Sequence, residues 1–417
     1  MKTFNNMDTL FQPIINLGTL GSVSDGKSTL IEKLTGIKTQ RHSSEKKRNI
    51  TIKSGYANLK IWECIECNNL LSTSSNFNEV TCKYCENNCK IVHHLSFVDC
   101  PGHSELILTM MGSVSLMKGG IIIVSASESL DKKPQLIQHL LAAKLANITK
   151  LIICFNKLDL VSKELAIQRK YDLDELLIKL DIKPYIIIPT AFNKSLGINN
   201  ILKSIMHLFP INEINNNKEE SFFRITRSFD INKPGIAWSN ISGGVLGGSL
   251  INGELNIGDN VEVRPGILSK SKDGKYNNQP IITKILSLES DNIIIENIKS
   301  GGLVAIGTDI DPYYCKNDML SGNILGKIGT LPNVYHDLKV EYTVLDNFDG
   351  KWDPKNGDTI YLQIGNISCE SRLLKFNNNI MNFQLIKPIC IENNIKILVC
   401  KKIEGILNIV GYCTLIQ

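Results

Sequence analysis

The chain has 417 residues, 43% hydrophobic and 21% charged, with a formal net charge of +5. That length exceeds one ordinary domain and fits two or three, and the apolar content excludes a disordered chain. The weak positive balance permits a nucleic-acid partner without arguing for one, and no apolar run reaches the roughly 18–20 residues a membrane span needs.

The amino terminus, MKTFNNMDTLFQPII, has no basic start, long apolar run or small-residue cleavage site, so no export signal is predicted. Twelve cysteines in a chain of this length point to metal ligands and buried thiols rather than a disulfide framework. A cytoplasmic protein is the expectation. The run PIINLG (13–18) reads as a strand, and Leu30, Ile31 and Leu34 then repeat at helical spacing.

Between that strand and helix stands Gly21-x4-Gly26-Lys27-Ser28. Glycines let the backbone fold so that N–H groups converge on phosphate oxygens. Lys27 supplies a point charge for the β- and γ-phosphates, and the Ser28 hydroxyl suits Mg²⁺. The helix from Thr29 turns its positive end to the same anion. Ser24 and Asp25 fill the loop. Asp25 is a negative neighbour for phosphates, so its carboxylate is expected to turn outward while its N–H faces the ligand.

Next comes Arg48-Asn49-Ile50-Thr51. Thr51 is placed to offer oxygen to Mg²⁺ and the γ-phosphate, an ordering lost when that phosphate leaves. The adjoining Lys46, Lys47 and Arg48 read as a solvated face or a phosphate contact. In a Cys-rich insertion at about 62–90, Cys64-x2-Cys67 and Cys82-x2-Cys85 are separated by fourteen residues. Two such turns present four thiolates to structural Zn²⁺. Free thiols are the alternative, and Cys89 is a substitute ligand, with His93 and His94 nearby. Cys154 and Cys413 lie in apolar runs and read as core.

The apolar run LSFV (95–98) ends in Asp99-Cys100-Pro101-Gly102, followed by His103. Asp99 at a strand end suits water-mediated Mg²⁺, the Gly102 N–H suits a γ-phosphate, and His103 suits an attacking water. Strands are predicted at 120–124, 151–155 and 185–188, with helices over 134–147 and 164–180. Asn156-Lys157-Leu158-Asp159 follows the strand LIICF. Asp159 accepts from guanine N1–H and its 2-amino group, donors that adenine lacks there. Asn156 reaches the base edge and the Lys157 stem covers its face. Thr190-Ala191-Phe192 then offers a backbone N–H to guanine O6. Each motif alone has an ordinary reading as a turn or a chance string. Together, each at a strand-to-loop junction, they specify a guanine nucleotide.

Alternating strands and helices over 13–210 predict a mostly parallel sheet with helices on both faces. The polar stretch NEINNNKEE (212–220) reads as a linker. Short β-rich runs punctuated by Gly, Asn, Asp and Pro then predict two all-β barrels, the second from near 335. The expected domains are 1–212, 213–333 and 334–417. Trp62 and Trp238 read equally as core or stacking platforms. Arg227, Lys233 and Arg264 are basic positions without an assigned role.

With these motifs in hand, the chain resembles the translational GTPases, and within them the gamma subunit of eukaryotic and archaeal translation initiation factor two. The likeness runs through RNITIKSGYANLKIW (48–62), VDCPGH (98–103), NKLDLV (156–161), ITRSFDINKPG (225–235), GGVLGGSL (243–250), VEVRPGILSK (261–270), GGLVAIGTDIDP (301–312) and ILGKIGTLP (324–332). It covers nearly the whole chain and loosens in about the last eighty residues. The resemblance implies a P-loop GTPase domain and two β-barrels within a heterotrimer with alpha and beta partners. Its work would be GTP-dependent delivery of methionyl initiator tRNA to the small ribosomal subunit. The tRNA 3′ end would lie between the GTP domain and the first barrel, with beta on the GTP domain and alpha on that barrel.

The chain departs from the family pattern at Ser22 and Asp25, where histidine is usual, and at Leu136 and Thr190. No arginine finger is identifiable, so hydrolysis is expected to be slow until a partner triggers it, with an exchange factor resetting the cycle. Two alternatives stand. One is an elongation-type factor resembling the selenocysteine-specific one, disfavoured by the cysteine insert and by a chain that ends after a third domain. The other is a GTP-binding scaffold without efficient turnover, kept open by Ser22 and Asp25.

Overall fold

The computed structural model describes residues 11–39, 55–183, 185–211, 220–237, 240–291, 293–345, 352–392, 395–403 and 405–416. Thr51, Lys46, Lys47, Arg48, Trp238 and nearly all of the predicted linker lie outside them. The chain divides into two compact units, 1–215 and 216–417.

The first unit is built on seven strands: β1 (Asn16–Leu20), β2 (Gly55–Cys64), β3 (Leu70–Ser74), β4 (Cys89–Asp99), β5 (Gly119–Ser125), β6 (Leu151–Asn156) and β7 (Tyr185–Pro189). Their order is β3-β2-β4-β1-β5-β6-β7. The pairs β4–β1, β1–β5, β5–β6 and β6–β7 are parallel, as expected. The sheet is nevertheless mixed, because β2 runs antiparallel to β4 and β3 antiparallel to β2. A short connection joins β2 to β3, and only an antiparallel pair closes through so short a link. Every residue of β1, β5 and β6 is buried, so both faces of the sheet are covered.

Among the described residues five α-helices accompany these strands: α1 (Lys27–Thr35), α2 (Ile107–Val114), α3 (Pro134–Leu145), α4 (Lys163–Lys179) and α5 (Ile198–Leu208). Leu30, Ile31 and Leu34 of α1 and Ile201, Leu202 and Ile205 of α5 share a core with Leu17, Phe97, Ile121, Ile123, Ile152 and Cys154. α1 stops at Gly36, left-handed at φ 72°, whose N–H caps Glu32 O at 2.7 Å. α3 opens on Pro134, where the missing N–H costs nothing. α4 opens on Ser162, whose hydroxyl accepts from Leu165 N at 3.3 Å. Among the described residues no helix is long and apolar enough to cross a membrane.

In the second unit a ring forms from β8 (Phe222–Phe229), β9 (Val245–Asn252), β11 (Asn260–Lys270), β12 (Tyr276–Ser290), β15 (Leu303–Thr308) and β16 (Ile324–Lys327). Their order is β11-β16-β8-β9-β15-β12, and the β11–β12 pairing closes it. β13 (Ile293–Ile295) extends β12, while β10 (Glu254–Asn256) and β14 (Asn297–Lys299) pair separately. The second barrel is β17 (Val334–Val344), β18 (Thr359–Ile364), β19 (Ile367–Asn377), β20 (Ile380–Cys390), β21 (Ile397–Ile403) and β22 (Ile406–Leu415), closed in the order β17-β20-β19-β18-β21-β22. Period-two patterning drives it: Leu338, Val340 and Tyr342 of β17 are buried while the residues between them face out. The barrels are tied by an Arg224–Glu392 ion pair and by Asn366 Nδ2 donating to Ile225 O at 2.8 Å. Arg264 donates to Leu331 O at 3.0 Å and Pro332 O at 3.2 Å, and Arg227 pairs with Asp318, so both arginines serve the fold. Trp62 is core, its Nε1 donating to Thr73 Oγ1 at 2.9 Å. Cys154 and Cys413 are buried as predicted.

Candidate nucleotide site

Register puts the predicted motifs at one end of the sheet, past the carboxyl ends of β1, β4, β6 and β7. Thr19, just before the glycine loop, lies beside Asp99 of β4 and Ile121 of β5; Ser125 lies beside Asn156, and Phe155 beside Pro189. Strand carboxyl ends in an open α/β sheet are where ligands bind. Gly21, Ser24 and Gly26 have φ of 140°, 63° and 110°, so the loop turns through left-handed conformations that glycine supplies cheaply. The first turn of an α-helix leaves N–H groups without an intrahelical acceptor, and α1 opens at Lys27 directly after the loop. Lys27 Nζ closes the loop by donating to Gly21 O at 3.0 Å and Ser22 O at 2.6 Å. Burial pushes its ammonium below the ordinary lysine value, against the opposing pull of Asp99 and Asp25.

Asp25 overturns one expectation. Its carboxylate does not turn outward; it is buried beneath the loop. Oδ2 accepts from Ser22 N at 2.9 Å, Oδ1 accepts from Ser125 N at 3.3 Å, and Oδ1 forms an ion pair with Lys133. Its own N–H points to Ser22 O, 3.4 Å away. A buried carboxylate needs a cation and donors, and the inward position supplies both.

Asp99 is the centre of a second cluster. It accepts from Thr19 Oγ1 at 3.1 Å, Ser28 Oγ at 2.7 Å and Thr39 Oγ1 at 2.5 Å. A carboxylate and hydroxyls are the hard oxygen donors that Mg²⁺ prefers, so these residues fit that ion. A Cβ on Gly102 would displace Lys27 Nζ and stand 3.0 Å from Val23 N, so glycine lets this segment lie close against the phosphate loop. His103 is half-buried at the cap of the next turn, with Nδ1 accepting from Glu105 N at 3.4 Å.

The base-recognition residues meet the loop directly. Asn156 Nδ2 donates to Asp25 O at 2.9 Å, and its Oδ1 accepts from Phe192 N at 3.2 Å and Thr190 Oγ1 at 3.4 Å. A Cβ on Gly26 would stand 2.7 Å from Asn156 Nδ2. Leu158 N donates to Thr190 O at 3.3 Å, which joins the segment carrying Lys157 and Asp159 to Thr190 and Ala191. Lys157 is left-handed at φ 63°, and Asp159 is half-buried in the turn Leu158–Leu160.

Sequence reasoning missed Thr19, Thr39, Ser125, Lys133 and His139. His139 Nδ1 accepts from Gly21 N at 2.9 Å, and burial pushes its pKa down to about 3, which keeps it a neutral acceptor. Its partner is 118 residues away and that of Lys133 is 108 away, so no local pattern marks either.

The second predicted cluster also assembles. The Sγ atoms of Cys64, Cys67, Cys82 and Cys85 lie within 4.8 Å of one another. Cys64 and Cys85 are 3.3 Å apart, Cys67 and Cys82 3.5 Å. This donor set is compatible with tetrahedral zinc. Donation from the Asn69 backbone pulls the Cys67 thiol down to about 6. Cys89 pairs with Cys64 across β2 and β4 and stands outside the four, its thiol pushed up to about 11 by burial.

Comparison with known proteins agrees with this geometry. The Elongation factor Tu GTP binding domain matches residues 12–211, and Initiation factor eIF2 gamma, C terminal, matches residues 336–415. Eukaryotic translation initiation factor 2 subunit gamma of Encephalitozoon cuniculi is 35% identical over 409 residues, covering 96% of this chain and 92% of that one. The chain belongs to the translation initiation factor 2 gamma subunit family. The Pyrococcus furiosus gamma subunit is 34% identical over 96% of this chain and 97% of its own length. This gamma-family chain is therefore a GTP-binding protein and a GTPase. Its fold is shared with a bacterial selenocysteine-specific elongation factor, EF-Sec, at TM-score 0.72 and 23% identity; the match covers 97% of this chain and 58% of that one. At that identity the likeness concerns fold alone.

Proposed function

We propose that this chain is the GTP-binding core of a translation initiation factor 2 complex. In its GTP form it carries methionyl initiator tRNA to the small ribosomal subunit, and it releases the tRNA after hydrolysis. The convergence of loop, Asp99–His103 segment and Asn156–Asp159 at the strands' carboxyl ends supports the nucleotide cycle. Likeness to initiation gamma subunits over 96% of the chain favours initiation over elongation. The proposed partners are alpha and beta subunits, activating and exchange factors, and the ribosomal subunit, all in the cytoplasm. The domains are taken as 1–212, 213–333 and 334–417.

Lys27 and the loop amides stabilise charge on the β–γ bridge as it breaks. Ser28 and Thr51 would hold Mg²⁺, with Asp99 acting through water, and the ion would neutralise the phosphate oxygens. The Gly102 N–H reports the γ-phosphate, and His103 orients the attacking water. Gly21, Ser24, Asp25, Gly26 and Thr29 shape the phosphate cradle, with Asp25 contributing through its buried carboxylate. Asn156, Lys157, Asp159, Thr190, Ala191 and Phe192 enclose the base. Cys64, Cys67, Cys82 and Cys85 would hold Zn²⁺ as a structural clip. The scaffold alternative has less support, because the carboxylate that kept it open is ion-paired with Lys133.

The test is filter binding of methionyl initiator and elongator tRNA to the chain with its alpha and beta partners, in GTP-analogue and GDP forms. Selective binding of initiator in the GTP form is expected; equal binding in both nucleotide states would remove the coupling. His103→Ala is expected to keep nucleotide affinity and to cut partner-triggered hydrolysis at least about tenfold. Single-turnover release of phosphate checks this, and an unchanged triggered rate would end the water-orienting role.

A further inference from the structure

The phosphate loop of this chain contains a carboxylate one residue before Gly26 and two before Lys27. An anion there opposes a polyphosphate unless something cancels it. The structure supplies one candidate for that role, from a distant part of the chain. Lys133 stands immediately before Pro134, the first residue of α3, and its side chain is only 1% exposed, as is that of Asp25. Its ammonium pairs with Asp25 Oδ1 and donates to Ser125 O at 3.3 Å. Glu128, half-exposed, lies 3.9 Å from the same ammonium.

We propose that Lys133 is a positioning residue for nucleotide binding, cancelling the Asp25 charge so that the loop accepts an anion. The pair also shapes the loop. With its charge compensated, Asp25 holds Ser22 N and Ser125 N through its carboxylate and Asn156 Nδ2 through its carbonyl. One residue thus joins the phosphate loop to the end of β5 through its carboxylate and to the guanine-recognition segment through its backbone carbonyl. A buried charge that loses its partner is strongly destabilising, whereas replacing both partners by neutral groups is often tolerated. Compensation and simple packing therefore predict different outcomes for the double variant.

The experiment is titration of a fluorescent GDP analogue into the full chain and three variants, with thermal unfolding recorded in parallel. Lys133→Met removes the ammonium and keeps the stem; it is expected to weaken binding at least tenfold. Asp25→Asn/Lys133→Met, lacking both charges, is expected to bind at least fivefold more tightly than Lys133→Met alone. Asp25→Asn alone is expected to bind more tightly than Lys133→Met. Should Lys133→Met not fold, Lys133→Gln takes its place in each comparison. Binding by the single lysine variant at the wild-type level would overturn the proposal. So would a double variant as weak as the single one, because packing rather than charge would then be what Lys133 supplies.

Discussion

Asp159→Asn is expected to weaken GDP and GTP binding at least about 100-fold and to shift preference toward xanthine nucleotides. Asp159 is half-buried in the turn that follows left-handed Lys157, and that turn is pinned to Thr190 O through Leu158 N. A carboxylate there accepts two guanine donors, N1–H and the 2-amino group. Asparagine accepts one and turns its own NH₂ toward the other, so two donors face each other. Sites built around a hydrogen-bonding group reject analogues that lack it by large factors. Xanthine carries an oxygen where guanine carries the amino group, and that oxygen accepts from the new amide. Competition of unlabelled GDP and XDP against a labelled nucleotide reads both effects. An unaltered GDP:XDP preference would remove Asp159 from base recognition.

Lys27→Met is expected to cost roughly 3 kcal/mol of nucleotide binding, about 100-fold in affinity, from lost charge-assisted hydrogen bonds. Methionine keeps most of the stem, so the loss would come from the ammonium rather than from a cavity. In the structure that ammonium sits on Gly21 O and Ser22 O, and Asp99 and Asp25 both act on its charge. It is therefore already at the loop, and a bound phosphate has only to take over the contacts it makes there. Calorimetric titration with GDP, alongside unfolding curves for the unliganded chain, separates lost ligand contact from lost stability. Wild-type affinity in this variant would place the phosphates away from Lys27.

The motif residues were legible because each carries its chemistry within a few positions. Gly26 and Lys27 form one turn, Asp99 to Gly102 another, and Asn156 to Asp159 a third, each at a predicted strand end. The four cysteines were legible for the same reason, since two short spacings imply two facing turns. Thr51 was read just as locally, but it falls outside the described residues. Strand and helix positions followed from apolar periodicity, with ends shifted by one to three residues. β1 starts at Asn16 rather than at Pro13, and α3 ends at Leu145 rather than at residue 147.

Orientation was not legible. Asp25 looked like a surface charge because sequence reports a residue's type and its near neighbours. Whether its carboxylate faces water or core depends on Lys133, 108 residues away, and on Ser125 at the end of another strand. The same holds for His139 on Gly21 N and for Thr39 on Asp99, both contacts made by sheet register and helix packing. The antiparallel β2–β3 edge was likewise hidden, since alternation within a strand does not state its direction. The sequence by itself determined the nucleotide class, the cysteine cluster and the α/β-then-barrels order, because those depend on local spacing and period. Only the tertiary structure decided how the buried charge in the phosphate loop is compensated, because burial brings together groups that the chain keeps far apart.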